Sequence, residues 1–225
     1  MMLLREIKII KMKDIVIYGS GGLGKEVIWL IENINSYAPT WNVLGYIVSD
    51  SYSDLIGTVI YGYKVLGSEI WLSNLENEIN VICAIGKGSV RKSIYERVAF
   101  YSNVKIATLI DPSVRIDKTV SVGDGSIICL NCSVTVDSII GKGVLLNINS
   151  LIGHDAKVGD YCTFLPHSMA AGNTVIGECC EIGSGAFIIQ GAKIVENTTI
   201  APLSAVYKDI SNSGMYVGNP ARQMR

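Results

Sequence analysis

Sixteen consecutive six-residue blocks, from VRIDKT at Val114 to SAVYKD ending at Asp209, keep one phase without a slip. The third residue of every block is apolar, as in Ile116, Val122, Ile128, Val134 and Ile140, and it is mostly β-branched. The first residue is always Val, Ser, Cys, Ala or Thr, and the fourth is Gly in six of the sixteen. A helix repeats about every 3.6 residues and a strand every second residue, so neither alone produces this period. A short strand followed by a corner, repeated, does. Three such sides make a coil of eighteen residues, and coils stack at strand spacing, about 4.8 Å. The third residue then points into a prism. The first lies on the same strand face, points inward too, and has to be small because the corner is tight. Gly at the fourth position suits a turn that needs positive φ, and β-branched residues suit stacked strand positions.

This period accounts for the cysteines. Cys132, Cys162 and Cys180 all occupy the small inward position, and Cys162 and Cys180 are eighteen residues apart, hence stacked on adjacent coils. Cys129 and Cys132 form a CxxC without a second pair, which is weak support for zinc. A reduced, cytoplasmic chain is the simplest reading. The formal charge of −1, with no run of five basic residues, argues against a nucleic-acid partner, which needs a basic footprint. With 49% hydrophobic and 17% charged residues the chain has ample material for a packed core. It has no apolar run of the length, about 18 residues, that spans a membrane. The opening MMLLREIKIIKM has charges scattered through it and makes a poor signal peptide. Residues 1–12 read as an N-terminal extension.

Residues 13–106 read differently. DIVIY, residues 14–18, is a buried strand; GSGGLG follows, then the helical KEVIWLIENIN. Gly19, Gly21 and Gly24 satisfy GxGxxG between strand and helix, where glycines let backbone N–H groups approach a phosphate at the helix N-terminus. NVLGYIVSD is a second strand ending at Asp50. INVICAIGKGS is a further strand with its own glycine turn, followed by a helix through VRKSIYERVAFYSN. This domain is about half the usual size for a dinucleotide site, so it is expected to hold one nucleotide rather than two. The fold class is therefore α/β plus all-β: a small Rossmann-like domain over 13–106, then a parallel β-helix with a C-terminal tail over 107–225.

Only two histidines occur, His154 and His167. His154 stands in NSLIGHDAKVGD beside Asp155. An imidazole, whose ordinary pKa lies near neutrality, suits the exchange of a proton with a reacting group. An adjacent carboxylate fixes its tautomer. Spacing alone leaves His154 equally open to being a solvated corner residue.

Both halves together resemble the NeuD/PglD-like family of sugar O- and N-acetyltransferases, within the hexapeptide-repeat left-handed β-helix acyltransferases. The resemblance rests on VIYGSGGLGKEV, AIGKGSVRKSI, LLNINSLIGHDAKVGDYC and YVGNPARQM, and covers nearly the whole chain. It implies left-handed winding, acetyl-CoA as co-substrate, and a nucleotide-linked amino sugar of the 4-amino-4,6-dideoxy type as acceptor. It also implies a homotrimer with CoA in the groove between neighbours, no metal, and a place in surface-glycan synthesis. Carried across, it makes His154 the general base and Asp155 its acidic neighbour, with Asn147 near the reacting amine. Gly19, Gly21, Gly22, Asp50, Gly86 and Lys87 resemble the nucleotide-sugar contacts. Gly172, one coil above His154, resembles the glycine whose backbone faces the thioester. Nine residues after the base, where some members carry a second histidine near the acetyl group, this chain has Thr163; it is expected on the cofactor side with Gly172. His167 lies on another part of the coil and is no substitute.

The nearest rival is an O-acetyltransferase for a sialic-acid-like sugar. A γ-class carbonic anhydrase shares the β-helix, but its zinc takes three histidines and this chain has two. An NAD-dependent dehydrogenase needs a fuller cofactor domain, and a non-enzymatic sugar-nucleotide scaffold would release no CoA.

Overall fold

A computed structural model describes residues 12–224. Apart from Met12, the expected N-terminal extension lies outside the described residues. The first structural layer is a sheet of order β3-β4-β2-β1-β5-β6. Its strands are β1 (Lys13–Tyr18), β2 (Trp41–Ile47), β3 (Val59–Ile60), β4 (Tyr63–Gly67), β5 (Ile79–Cys83) and β6 (Val104–Ile106). All pairings are parallel except the β3–β4 hairpin, which the sequence reading did not anticipate. In β1, alternation sends Ile15 and Ile17 to one face and Val16 and Tyr18 to the other. Helix α1 (Gly22–Tyr37) packs its stripe of Val27, Ile28, Leu30 and Ile31 on the first face. Helices α2 (Ile70–Ser73) and α3 (Gly88–Val98) cover the second through Leu72, Ile94 and Val98. The chain leaves β1 toward β2 on one side and returns to β5 on the other, so a switch point opens above the C-terminal end of β1, where ligands of such sheets bind.

From Leu109 the chain winds as a three-sided parallel β-helix, its strands falling into three sheets. Partners are eighteen residues apart on every side: Ile128 pairs with Leu146, Val134 with Ile152, Ile140 with Val158. The third residues of the blocks, from Ile128 to Val206, form one core. The first residues are small and, from Ser126 onward, buried. Several of their polar atoms are satisfied within the stack: Ser138 Oγ donates to the Gly153 carbonyl at 2.7 Å, Cys132 Sγ to Asn147 at 3.1 Å and Cys162 Sγ to Gly177 at 3.0 Å, whereas the buried Thr174 hydroxyl has no partner among the described residues. Burial pushes the Cys132 thiol up to about 11. Among the described residues no group of three His, Cys, Asp or Glu side chains comes together to hold a metal.

The corners differ from expectation in which residue turns. Positive φ falls on the sixth position of the block, as in Asn131 (57°), Asn149 (61°), Asp155 (57°) and Asn173 (57°), not on the fourth. The fourth-position glycines serve clearance instead. A Cβ on Gly123 would lie 2.6 Å from the Gly141 carbonyl carbon, and one on Gly159 2.8 Å from the Glu178 nitrogen. Consecutive coils touch there through bare backbone.

The three outer faces are unlike one another. On the first, Leu109, Ile127 and Leu145 are buried in one cluster with the apolar stripe of α1. The second presents Leu151, Met169 and Phe187 with no helix laid over them among the described residues; the third mixes Ile139, Lys157, Val175 and Lys193. Helix α3 completes the join. Lys92 pairs with Glu178 on the β-helix. The Tyr95 hydroxyl accepts from the Cys83 N–H at 2.9 Å and donates to the Gly125 carbonyl at 3.0 Å. At Gly88 the helix approaches so closely that an added Cβ would overlap the Tyr161 carbonyl oxygen. Because that obstacle is backbone, Gly88→Ala is expected to cost about 1–3 kcal/mol of stability, read as a lowered denaturation midpoint; an unchanged midpoint would show that the seam yields freely.

Candidate active site and nucleotide pocket

His154 sits at the fifth position of its block, on the corner between the second and third faces, and its ring stands exposed at the edge of the prism. Asp155 follows in the left-handed conformation that this corner imposes, a conformation Asp tolerates through its short polar side chain. That turn folds the carboxylate back onto the ring, and His154 Nδ1 meets Asp155 Oδ2 at 2.8 Å. With the Nδ1 proton directed to the carboxylate, Nε2 is left with its lone pair free.

Directly above, Gly172 occupies the same corner one coil later. A Cβ there would lie 2.6 Å from His154 Cε1 and 2.8 Å from Cδ2, and closer still to Nε2. The imidazole therefore packs against bare backbone. The Gly172 N–H has no acceptor among the described residues, while its neighbours Ala171 and Asn173 donate to Ile188 and His154 carbonyls. An imidazole and a backbone N–H without an acceptor among the described residues thus belong to one corner, the kinds of group that acyl transfer needs.

A second site lies at the switch point of the sheet, where a cavity of about 720 Å³ opens. The turn from β1 to α1 lines it with Gly19, Ser20, Gly21 and Gly22. Gly19 takes φ 104° to make the turn, and an added Cβ at Gly24 would overlap the Gly19 carbonyl, so the first and third glycines of GxGxxG are both needed to bring α1 close. The first bond of that helix runs from Lys25 N–H to the Gly21 carbonyl, and neither a side-chain cap nor an acidic residue occupies its first turn. The amides ahead of that bond are free for an anion, with the helix dipole behind them. The opposite wall is the face of α3 carrying Ser89, Ser93 and Arg97. Arg97 forks onto Glu69, with Nη2 to Oε1 at 2.6 Å, and Tyr18 donates to the same oxygen at 2.5 Å. Burial raises the Glu69 carboxyl, but the bonds from Arg97 and Tyr18 outweigh it and hold the group below its ordinary range. Burial, followed by the Glu69 bond, raises the Tyr18 phenol.

The structure brings Gly19, Gly21, Gly22 and Gly86 together on this cavity, and His154, Asp155 and Gly172 together on the corner. Asp50 and Lys87 lie at the exposed ends of the flanking turns, outside the lining. Asn147 belongs to the corner between the first and second faces, so within one chain it stands across a whole face from His154; its Oδ1 accepts from the Ile148 N–H at 2.7 Å. His167 is on that same edge, beside Asn149. Thr163 is a correction. It is buried on the first face, where its hydroxyl donates to the Gly86 carbonyl at 2.7 Å and accepts from Arg91 at 3.1 Å. It faces the first domain, not a cofactor groove. Sequence reasoning missed Arg97 and the Ser89–Ser93 wall, although their spacing of four after a glycine turn marks one helical face.

The first part of the chain, residues 14–98, matches the family model described as the PglD N-terminal domain. Over 217 residues the chain is 31% identical to GDP-perosamine N-acetyltransferase of Escherichia coli O157:H7, covering 93% of this chain and 95% of that protein. Among solved structures, PerB from Caulobacter crescentus in complex with CoA and GDP-perosamine superposes with a TM-score of 0.85 at 25% identity, over 94% of this chain and 97% of that one. WeeI from Acinetobacter baumannii AYE does so with a TM-score of 0.79 at 29% identity, over 95% of this chain and 100% of that one.

Proposed function

Since this chain belongs to the NeuD/PglD-like family of sugar acetyltransferases, built from a Rossmann-like domain and a left-handed β-helix, we propose that His154 is the base by which it acetylates a nucleotide-linked amino sugar. The enzyme is an acetyl-CoA-dependent N-acetyltransferase whose acceptor is the amino group of such a sugar. The residues that do this are our assignment. The observation that carries it is the His154 ring: bonded to Asp155 through Nδ1 and laid against the bare backbone of Gly172 through its other edge.

The neutral amine of the sugar attacks the thioester carbonyl carbon, forming the C–N bond as the C=O pair moves onto oxygen. His154 Nε2 takes the proton that the amine sheds. The oxyanion is stabilised by the Gly172 N–H, a contribution of a few kcal/mol in comparable sites. Collapse re-forms the carbonyl, breaks the C–S bond and expels the CoA thiolate, which recovers the proton from the imidazolium. Asp155 keeps the tautomer. In the first domain, over 13–106, the diphosphate is assigned to the N-terminus of α1 at Gly21 and Gly22, with Gly86 on the far wall and Asp50 and Lys87 at the rim. The remainder, 107–225, carries the transferase site.

We assign a homotrimer. The uncovered second face, with Leu151, Met169 and Phe187, is the apolar surface a copy would bury, while the third face, carrying Lys157 and Lys193, suits solvent. A cyclic arrangement sets unlike edges of neighbouring copies together, which would bring Asn147 of one corner toward His154 of another. Among the described residues no helix is long and apolar enough to cross a membrane. A cytoplasmic setting agrees with the free thiols of all six cysteines.

The direct test is CoA release over a panel of GDP-, UDP- and dTDP-linked 4-amino-4,6-dideoxy sugars. Saturable release with one of them, and an amide in the product, is expected. No release with any member would leave only a binding scaffold.

A further inference from the structure

Arg91 is 1% exposed and, among the described residues, has no carboxylate partner. Its guanidinium is held by carbonyls and one hydroxyl. Nη1 donates to Ile85 at 2.6 Å and Gly86 at 3.0 Å. Nε donates to Gly143 at 2.6 Å, and Nη2 to Tyr161 at 3.2 Å, Cys162 at 3.0 Å and Thr163 Oγ1 at 3.1 Å. Burial lowers its pKa, and none of the described groups that accept from it carries a formal negative charge. A charge taken out of water without a counter-ion is an expensive way to gain stability; an apolar side chain would fill the same space more favourably. What the fork does provide is directional linkage. Two of its acceptors, Ile85 and Gly86, are the turn that lines the nucleotide cavity. The others belong to two successive coils of the β-helix. The Thr163 hydroxyl closes the loop by donating back to Gly86.

Helix α3 is thus shared by two sites. Gly88, Arg91, Lys92 and Tyr95, spaced three and four apart, face the prism, while Ser89, Ser93 and Arg97 face the cavity. We propose that Arg91 is a positioning residue for transfer: it fixes the nucleotide cavity against the β-helix, so that an amino sugar anchored by its nucleotide presents its nitrogen at the right height for the imidazole. This rests on the nucleotide-sugar reading given above. It predicts that Arg91 governs turnover and not nucleotide affinity, because the phosphate-facing amides of α1 lie on the other side of the cavity.

The test uses the full chain and Arg91→Lys, a substitution that keeps the charge and loses the fork. Titration calorimetry with GDP and steady-state kinetics with acetyl-CoA and GDP-perosamine are run on both, with rates expressed per folded protein. The expected result is a kcat lowered at least tenfold, with the GDP Kd and the sugar KM each within about threefold of the parent. An unchanged kcat per folded protein would reduce Arg91 to a structural part. A loss confined to Kd and KM would make it a pocket-shaping residue and equally overturn the proposal. Thr163→Val, which removes one acceptor and leaves the charge in place, is expected to move kcat the same way by a smaller factor, and it carries the test if Arg91→Lys does not fold. If the parent enzyme releases no CoA with any sugar of the panel, the functional reading has failed first, and the proposal falls with it.

Discussion

Replacing His154 with Ala is expected to lower kcat by about 10²–10⁴, the range that a positioned general base contributes, while the fold and the affinity for the nucleotide of the sugar stay as they are. The separation of effects follows from position. The ring stands at the exposed edge of a corner and contributes nothing to the core, which is built from the third and first residues of each block. The nucleotide cavity is lined by residues of the first domain only, so removing the imidazole takes away proton transfer and little else. The drop should persist at saturating acetyl-CoA and saturating sugar, because the interaction lost is one made as the C–N bond forms. Full activity in that variant would remove His154 from the mechanism and leave the corner as ordinary surface.

The second large effect belongs to a residue with no side chain. Gly172→Ala is expected to cost about 10² in kcat, on the scale of an imidazole displaced by about 1 Å. The nearest atoms a new Cβ would meet all belong to the His154 ring. Gly172 is not among the residues with positive φ, so its backbone accepts Ala without strain. The ring, the free end of an exposed side chain, is what gives way. The double variant then discriminates. In the His154→Ala background nothing occupies the space, and the added methyl should have almost no further effect, a strongly non-additive cycle. Additive losses would mean that Gly172 acts on the thioester by itself.

Much of this was legible beforehand because a β-helix writes its geometry into a period. The register of Val134 with Ile152, the burial of Cys132 and Cys162, and the stacking of Gly172 on His154 all follow from counting by eighteen. The fold class followed from the same count, and GxGxxG located the turn of the first domain. The corner conformation was there to be read as well. Asn, Asp and Gly recur at the sixth position, the residues that enter the left-handed region most easily, but glycine at the fourth drew attention away from them. What no period could give was the join between the halves. Thr163 and Arg91 are 72 positions apart, and their meeting depends on which face of the prism the first domain covers. A hint existed in α3, where an arginine stands in the apolar stripe with Ile94 and Val98. The hairpin of β3 and β4 was missed because its two strands are too short to show alternation.

The stacked coils also constrain how the gene for such an enzyme can change length. Six added residues keep the inward and outward positions in phase, but an insertion keeps every side on its own face only if it adds a complete turn of eighteen. Placed beyond Cys179, an extra turn lengthens the rod and leaves both the seam with α3 and the corner at His154 as they are. Placed between Gly143 and His154, it parts the two coils that Arg91 holds together, Gly143 from Tyr161, and shifts the imidazole by about 4.8 Å relative to the coils below it. Tolerance to duplication should therefore be sharply lopsided, high toward the C-terminal end and low within the coils that α3 joins.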